Sequence, residues 1–277
     1  MQVVGPIFEL RALRQKLSGT VGFVPTMGFL HEGHLALVKR ARIENSAVIV
    51  SIYVNPAQFG PREDFGSYPR DLNRDLELLG GEGVDIVFVP SDDEMYPPEF
   101  SSWVDVDKVT EQLEGASRPG HFRGVTTIVA KLFNVVQPSR AYFGQKDAQQ
   151  VVVIKRMVAD LNMGIEIVVV PTVRESDGLA MSSRNIYLSP GERQAATILF
   201  KTLTLARQLS QGGEEDAEKI RRQMTSLIQK EPLAQIDYVS IADSETLEEL
   251  SSIDRPVLAS LAVRIGKTRL IDNMPLE

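Results

Sequence analysis

TVGFVPTMGFLHEGHLALVKRARIENSAVIVSIYV, residues 20–54, changes its periodicity twice within thirty-five residues. Residues 20–26 and 46–54 are rich in β-branched side chains and apolar at consecutive positions, as strands buried on both faces are. Between them Leu35, Leu37, Val38 and Ala41 recur at helical spacing. Strand alternating with helix predicts a parallel, doubly wound α/β sheet, a Rossmann-like fold.

The same alternation continues outward. VDIVFVP (84–90) and IEIVVVP (165–171) read as further buried strands, and RAYFG (140–144) as a shorter fifth. TTIVAKLFNVV (126–136) and AQQVVVIKRMVADLN (148–162) have helix length. After residue 172 the character changes. VRESDGLAMSSRNIYLSP (173–190) is irregular and polar, and its Ser189-Pro190 end is a helix-start signal. Residues 191–211 and 214–230 then read as two helices, and 235–243, 256–266 and 268–273 as strands of a small antiparallel sheet. The division expected is a Rossmann-like domain over 1–175 and a smaller C-terminal α+β domain over 176–277 that closes over the site.

Composition narrows the class. The chain has 277 residues, 43% hydrophobic and 24% charged, which is ordinary for a globular protein. It has no cysteine, so disulfides, thiolate-bound zinc and a catalytic thiol are all excluded. The N-terminal residues make a poor signal peptide, and no apolar run has the length of a membrane span. A cytoplasmic setting is expected, without a membrane partner. Thirty basic against 37 acidic residues argues against a nucleic-acid partner, which would want a basic face.

Five loops that follow strands hold most of the unusual chemistry: MGFLHEGH, NPAQF, SDDEMYP, GQKDAQQ and VRESDGLAMSSRN. Ligands of open parallel sheets bind outside the carboxyl ends of the strands. Two of the chain's three histidines, His31 and His34, lie in the first of these loops, with a helix expected to begin at about His34. A helix N-terminus attracts phosphate, and Gly28 and Gly33 allow close backbone approach. The same positive end disfavours imidazolium, so His34 is expected to be a neutral N–H donor at pH 7. Two such donors could stabilise charge growing at an α-phosphorus. The loop lacks the Gly-Lys-Ser/Thr ending of a Walker loop, and no G-x-G-x-x-G is present. A zinc site on His31, His34 and His121 is a competing chemistry, although HEGH is not the helical i, i+4 pair of H-E-x-x-H. A purely structural pair of imidazoles is another.

PTMGFLHEGH (25–34) resembles the His-x-Gly-His motif of the nucleotidylyltransferase superfamily, which is related to class I aminoacyl-tRNA synthetases. Five further segments resemble the pantothenate synthetase family: 54–75, 118–138, YFGQKDAQQ (142–150), 170–193 and the closing LIDN (270–273). The resemblance covers nearly the whole chain. It implies ATP-dependent joining of pantoate and β-alanine through a pantoyl adenylate, with release of AMP and pyrophosphate. A transferase that leaves AMP or CMP on its product is the alternative enzyme, and an ATP-binding regulatory module the non-enzymatic one.

The resemblance also implies site residues. Pro25, Thr26, Met27, Gly28, Phe29, Leu30, His31, Glu32, Gly33 and His34 would lie along ATP, with His31 and His34 at its phosphates and His34 the principal donor. Met181, Ser182, Ser183 and Arg184 would correspond to the flexible second motif of the synthetases. Ala180 and Arg184 stand where the synthetases have lysine, as is normal for the pantothenate branch. Two hydroxyls and a guanidinium could follow departing pyrophosphate; a solvated linker is the plain alternative. Gly144, Gln145, Lys146 and Asp147 open a helix and would contact the nucleotide, Lys146 with its charge, as would the backbone at Val173. Helix capping alone would also explain Asp147. Gln58, Gln150 and Asn55 are the implied substrate contacts, Gln58 also near β-alanine. Mg²⁺ would be held mostly by phosphate oxygens, with Asp75 its one protein ligand; an exposed helix aspartate is the alternative. A homodimer is implied as well.

Overall fold

Six parallel strands form the sheet that the alternation predicts. The computed structural model describes residues 1–61 and 63–276; Arg62, inside the 54–75 segment, and Glu277 lie outside the described residues. Contacts divide the chain into two compact units, Met1–Gly144 with Val153–Pro171, and Gln145–Val152 with Thr172–Glu277.

In the first unit the strands are β1 (Gln2–Val4), β2 (Val21–Thr26), β3 (Ala47–Ile52), β4 (Ile86–Phe88), β5 (Arg140–Gly144) and β6 (Glu166–Val170). Their spatial order is β1-β4-β3-β2-β5-β6, and every pairing is parallel. The helices are α1 (Ile7–Arg14), α2 (Glu32–Glu44), α3 (Leu72–Gly81), α4 (Asp92–Met95), α5 (Leu113–Ser117) and α6 (His121–Val136), while α7 (Ala148–Asp160) runs through residues of both units.

Alternate residues of the strands serve opposite layers. Val24, Val48, Val50 and Val87 pack with Leu35, Val38 and Ala41 of α2 and Leu79 of α3. On the other face Phe23 meets Phe133 of α6 edge-on at 6.3 Å, and Phe133 meets Phe143 at 6.4 Å. Fully burying one such side chain stabilises the fold by about 1.5–3 kcal/mol, which explains why neither face of a central strand shows polar alternation. The strand order reverses between β2 and β5, so the carboxyl end of β2 lies at the topological switch point.

The second unit contains α8 (Pro190–Ala195), α9 (Ile198–Gln211), α10 (Ala217–Ile228) and the antiparallel sheet β7 (Ala234–Asp243), β8 (Val257–Ile265), β9 (Thr268–Leu276), in that spatial order. Leu199 and Leu203 of α9, Ile220 and Met224 of α10, and Leu261 and Val263 of β8 share one core. Ser189 and Glu192 form the reciprocal cap that starts α8.

Several elements differ from the sequence reading: α6 begins at His121 and β9 runs to Leu276, beyond the expected 126–136 and 268–273. Strand β1 is additional; its three residues are too few to show a period. The single helix expected over 191–211 is broken between Ala195 and Ile198. Helix α2 starts at Glu32, placing His34 inside its first turn. Among the described residues, no helix is long and apolar enough to cross a membrane.

Candidate active site

The loop that leaves β2 at the switch point is pinned from two sides. Thr26 donates its hydroxyl to the Ser51 carbonyl at 2.8 Å and accepts the Gly28 N–H at 3.3 Å. Gly28 then takes φ +82° and Phe29 φ +51°, left-handed conformations that cost a bulky residue free energy unless the surroundings impose them. Asp75 of α3 imposes them: its two oxygens accept the Phe29 and Leu30 N–H groups, each at 2.7 Å. Its neighbour Arg74 donates to the Leu30 carbonyl at 2.9 Å and lies over the Phe29 ring. A Cβ on Gly28 would sit 3.0 Å from both Asp75 Oδ2 and Ile52 Cγ2, so glycine is required for this approach. Asp75 is 1% exposed and is therefore not the solvated helix residue of the alternative reading. Burial raises its pKa, opposed by the two N–H groups it accepts.

The loop ends in an unusual helix start. His31 is the N-cap of α2, and its Nδ1 accepts the Gly33 N–H at 3.1 Å. Nδ1 of His34 in turn accepts the His31 N–H at 3.3 Å. The two rings lie 4.1 Å apart, centroid to centroid. An imidazole that accepts at Nδ1 carries its proton on Nε2 and is neutral, because imidazolium has no lone pair to accept with. The reciprocal cap thus fixes both tautomers and makes both Nε2 atoms N–H donors.

Gln58 stands in a second constellation of the same unit. Pro56–Gln58 form a 3-10 turn against α6, so close that a Cβ on Gly124 would lie 2.3 Å from the Ala57 carbonyl oxygen. Asn55, 1% exposed, donates to Gln58 Oε1 at 3.0 Å and to the Gly124 carbonyl at 3.1 Å. Its own oxygen accepts from Ala57 N and from the Tyr96 hydroxyl. Asn55 therefore uses both amide hydrogens and both acceptor positions inside the protein, and orients the Gln58 amide. Gln58 Nε2 donates to the Met27 sulfur at 3.4 Å, which leaves one donor and one acceptor position on that amide.

The third histidine supports this turn. Nδ1 of His121 donates to the Gln58 carbonyl at 2.9 Å, and Nε2 accepts from Arg118 at 3.1 Å. Arginine can only donate, so this ring too is neutral. Burial, reinforced by the Arg118 charge, lowers its pKa to about 4 against the opposing Gln58 hydrogen bond and the charges of Glu114 and Glu63. Arg118 itself is clamped by both oxygens of Glu63 at 2.7 and 2.6 Å. Among the described residues, no group of three or more histidine, aspartate or glutamate side chains could hold a metal ion, so the His31–His34–His121 zinc reading is overturned.

Gly144 ends β5 in the first unit, and the second unit holds the other expected residues. Gln145–Asp147 form a 3-10 turn after Gly144, with Lys146 Nζ 3.7 Å from Asp147 Oδ1. Gln150 is half-buried in the first turn of α7. The segment from Val173 onward is internally tied. Met181 N–H donates to the Val173 carbonyl at 3.0 Å, and Arg174 bridges Ala180. Ser182 caps the 3-10 turn Ser183–Tyr187 by accepting the Arg184 N–H, and Ser183 is buried. Asn185 donates to Glu175 and to the Ala180 carbonyl, and Arg193 pairs with Glu175 and Asp177. These bonds replace the solvated linker of the alternative reading.

Local sequence does not point to Arg118, Glu63, Gly124 or Tyr96. Each acts across forty or more residues of chain, and no local spacing reports such a contact. For His121 the sequence suggests zinc instead.

A family model described as pantoate-beta-alanine ligase matches residues 2–275. A pantothenate synthetase of Roseiflexus castenholzii is 60% identical over 277 residues and is covered completely, as is this chain. The crystal structure of pantothenate synthetase from Thermus thermophilus superposes with a TM-score of 0.95 at 50% identity, over 99% of each chain. That of pantoate-beta-alanine ligase from Francisella tularensis, complexed with beta-gamma ATP and β-alanine, gives 0.81 at 35% identity, over 99% of this chain and 97% of that one.

Proposed function

The chain belongs to the pantoate–β-alanine ligase family, and we propose that it joins pantoate to β-alanine in two steps driven by ATP. A carboxylate has no useful leaving group, so it must first be activated. The pantoate carboxylate attacks the α-phosphorus of MgATP, forming pantoyl adenylate as pyrophosphate leaves. The β-alanine amine then attacks the acyl carbon and AMP departs. No covalent bond to the protein is needed; the chain supplies alignment and charge stabilisation.

The observation that carries this reading is the reciprocal histidine cap. It presents two neutral Nε2–H donors at the helix start beside the switch point. Donors of fixed tautomer suit the charge that develops on phosphate oxygens during attack, with His34 principal and His31 supporting. Lys146, Arg184 and the Ser182 and Ser183 hydroxyls are the groups offered to departing pyrophosphate. Gln58 offers its remaining donor and acceptor to pantoate while leaving the carboxylate a free nucleophile, and Gln150 offers the same pair of groups. Asn55 acts through Gln58.

Mg²⁺ enters as part of the nucleotide substrate, held by phosphate oxygens. Asp75 gives both oxygens to loop N–H groups, so its role in this proposal is to anchor the loop, and no step runs through a protein-held ion. The homodimer rests on the family resemblance alone, and the cytoplasmic location on the composition of the sequence.

AMP release tests the reading. It should require pantoate, ATP and β-alanine together and match amide formation one to one. AMP retained on the product would make the enzyme a nucleotidylyltransferase, and absence of turnover with all three substrates would favour a regulatory module.

A further inference from the structure

The closing LIDN motif has no role in the chemistry above, yet its last two residues hold two of the expected site segments. Asn273, on β9 and 4% exposed, donates both amide hydrogens to consecutive backbone carbonyls, Gln145 at 2.9 Å and Lys146 at 2.9 Å. Its Oδ1 accepts from Gln145 Nε2 at 3.0 Å. The preceding Asp272, 2% exposed, accepts the Asn273 N–H at 2.8 Å and both arms of Arg174 at 2.6 and 3.0 Å. Arg174 also reaches the Gly178 carbonyl at 3.1 Å and stacks over Phe200. Two adjacent side chains at the end of the sequence thus tie down the Gln145–Asp147 turn and the segment beginning at Val173.

We infer that Asn273 is a positioning residue that orients Lys146 for the adenylation step, with the Arg174–Asp272 pair fixing Asn273 in turn. The inference rests on the reading of Lys146 as a phosphate ligand. The Gln145 and Lys146 carbonyls both accept from Asn273, so the direction of the backbone at residue 146 depends on that side chain. Asn273 is matched to that task, because only an amide of this length brings two donors to the two carbonyls and one acceptor back to Gln145. Aspartate has the same shape but would set an acceptor against two acceptors. A displacement of about 1 Å in a group that must meet a transition state costs on the order of a hundredfold in rate.

The test compares Asn273→Asp, Asn273→Ser, Lys146→Met and the double variant Asn273→Asp/Lys146→Met. The readouts are kcat and the KM values for ATP and pantoate in the adenylation step, together with thermal unfolding. Asn273→Asp should lower kcat by on the order of a hundredfold while KM for pantoate stays near wild type. Asn273→Ser, which keeps one donor, should recover part of that loss. In the Lys146→Met background the same Asn273→Asp change should have almost no further effect, because its target is gone. Equal losses in both backgrounds would overturn the inference and leave Asn273 a structural residue, as would failure of both single Asn273 variants to fold. If Lys146→Met alone adenylates normally, the assignment of Lys146 is what fails.

Discussion

His31 and His34 cap one another across the first turn of α2: each Nδ1 accepts a backbone N–H, from Gly33 and His31 respectively. A helix usually begins on serine, threonine, aspartate or asparagine. Here two imidazoles take that place, and so keep a donor on the far side of each ring. Cap and donor are separable by mutation.

His34→Ala should remove both, costing about 1 kcal/mol of stability through the cap and a hundredfold or more in adenylation through the donor. His34→Glu restores an acceptor of the kind favoured at the third helical position, so its melting temperature should return toward wild type. Its adenylation rate should not. Recovery of both together would mean that His34 acts only through the cap.

His121 supplies a pH dependence of known sign. Its pKa is about 4 in the folded protein and near 6.5 in an unfolded chain. Between those values the unfolded state binds more protons, so stability falls as pH drops from about 6.5 to 4, by roughly 3 kcal/mol from this group at most. The charged groups facing it are Arg118, Glu63 and Glu114, and His121→Gln alters none of them. Urea unfolding from pH 7.5 to 4.5 should therefore show a shallower acid loss in His121→Gln than in wild type. Parallel profiles would refute a buried neutral His121.

Asp75 separates two roles for one carboxylate. Asp75→Asn keeps one acceptor and turns an NH2 group toward the second loop N–H, a loss of about 1.5–3 kcal/mol for a charged hydrogen bond. As a loop anchor, Asp75 predicts a raised KM for ATP that excess Mg²⁺ does not correct. Return to wild-type kinetics at high Mg²⁺ would instead show it to be a metal ligand.

What the sequence made legible was whatever lies within one element or at its end. The helix of Leu35, Val38 and Ala41 and the doubly buried β2 and β3 follow from periodicity, and the loop between β2 and α2 follows from its glycines and a helix start. Relationships across the chain were not legible. Nothing near Asp75 announces that it accepts N–H groups 45 and 46 residues earlier, and nothing near Gly124 announces the backbone of Ala57. The start of α2 at Glu32, before the expected His34, has a related reason: an imidazole cap has no place in the usual list of capping residues. The family resemblance supplied what spacing could not, namely the substrates and the choice of Gln58 and Gln150.

The central claim is that an adenylate forms before the amine acts, and exchange of labelled pyrophosphate into ATP tests it most directly. A pantoyl adenylate formed reversibly on the enzyme would carry label into ATP when pantoate is present and β-alanine is absent. It should not enter when pantoate is omitted, and His34→Glu should slow it by a hundredfold or more. Exchange that appears only after β-alanine is added would contradict the two-step account and point to a concerted reaction.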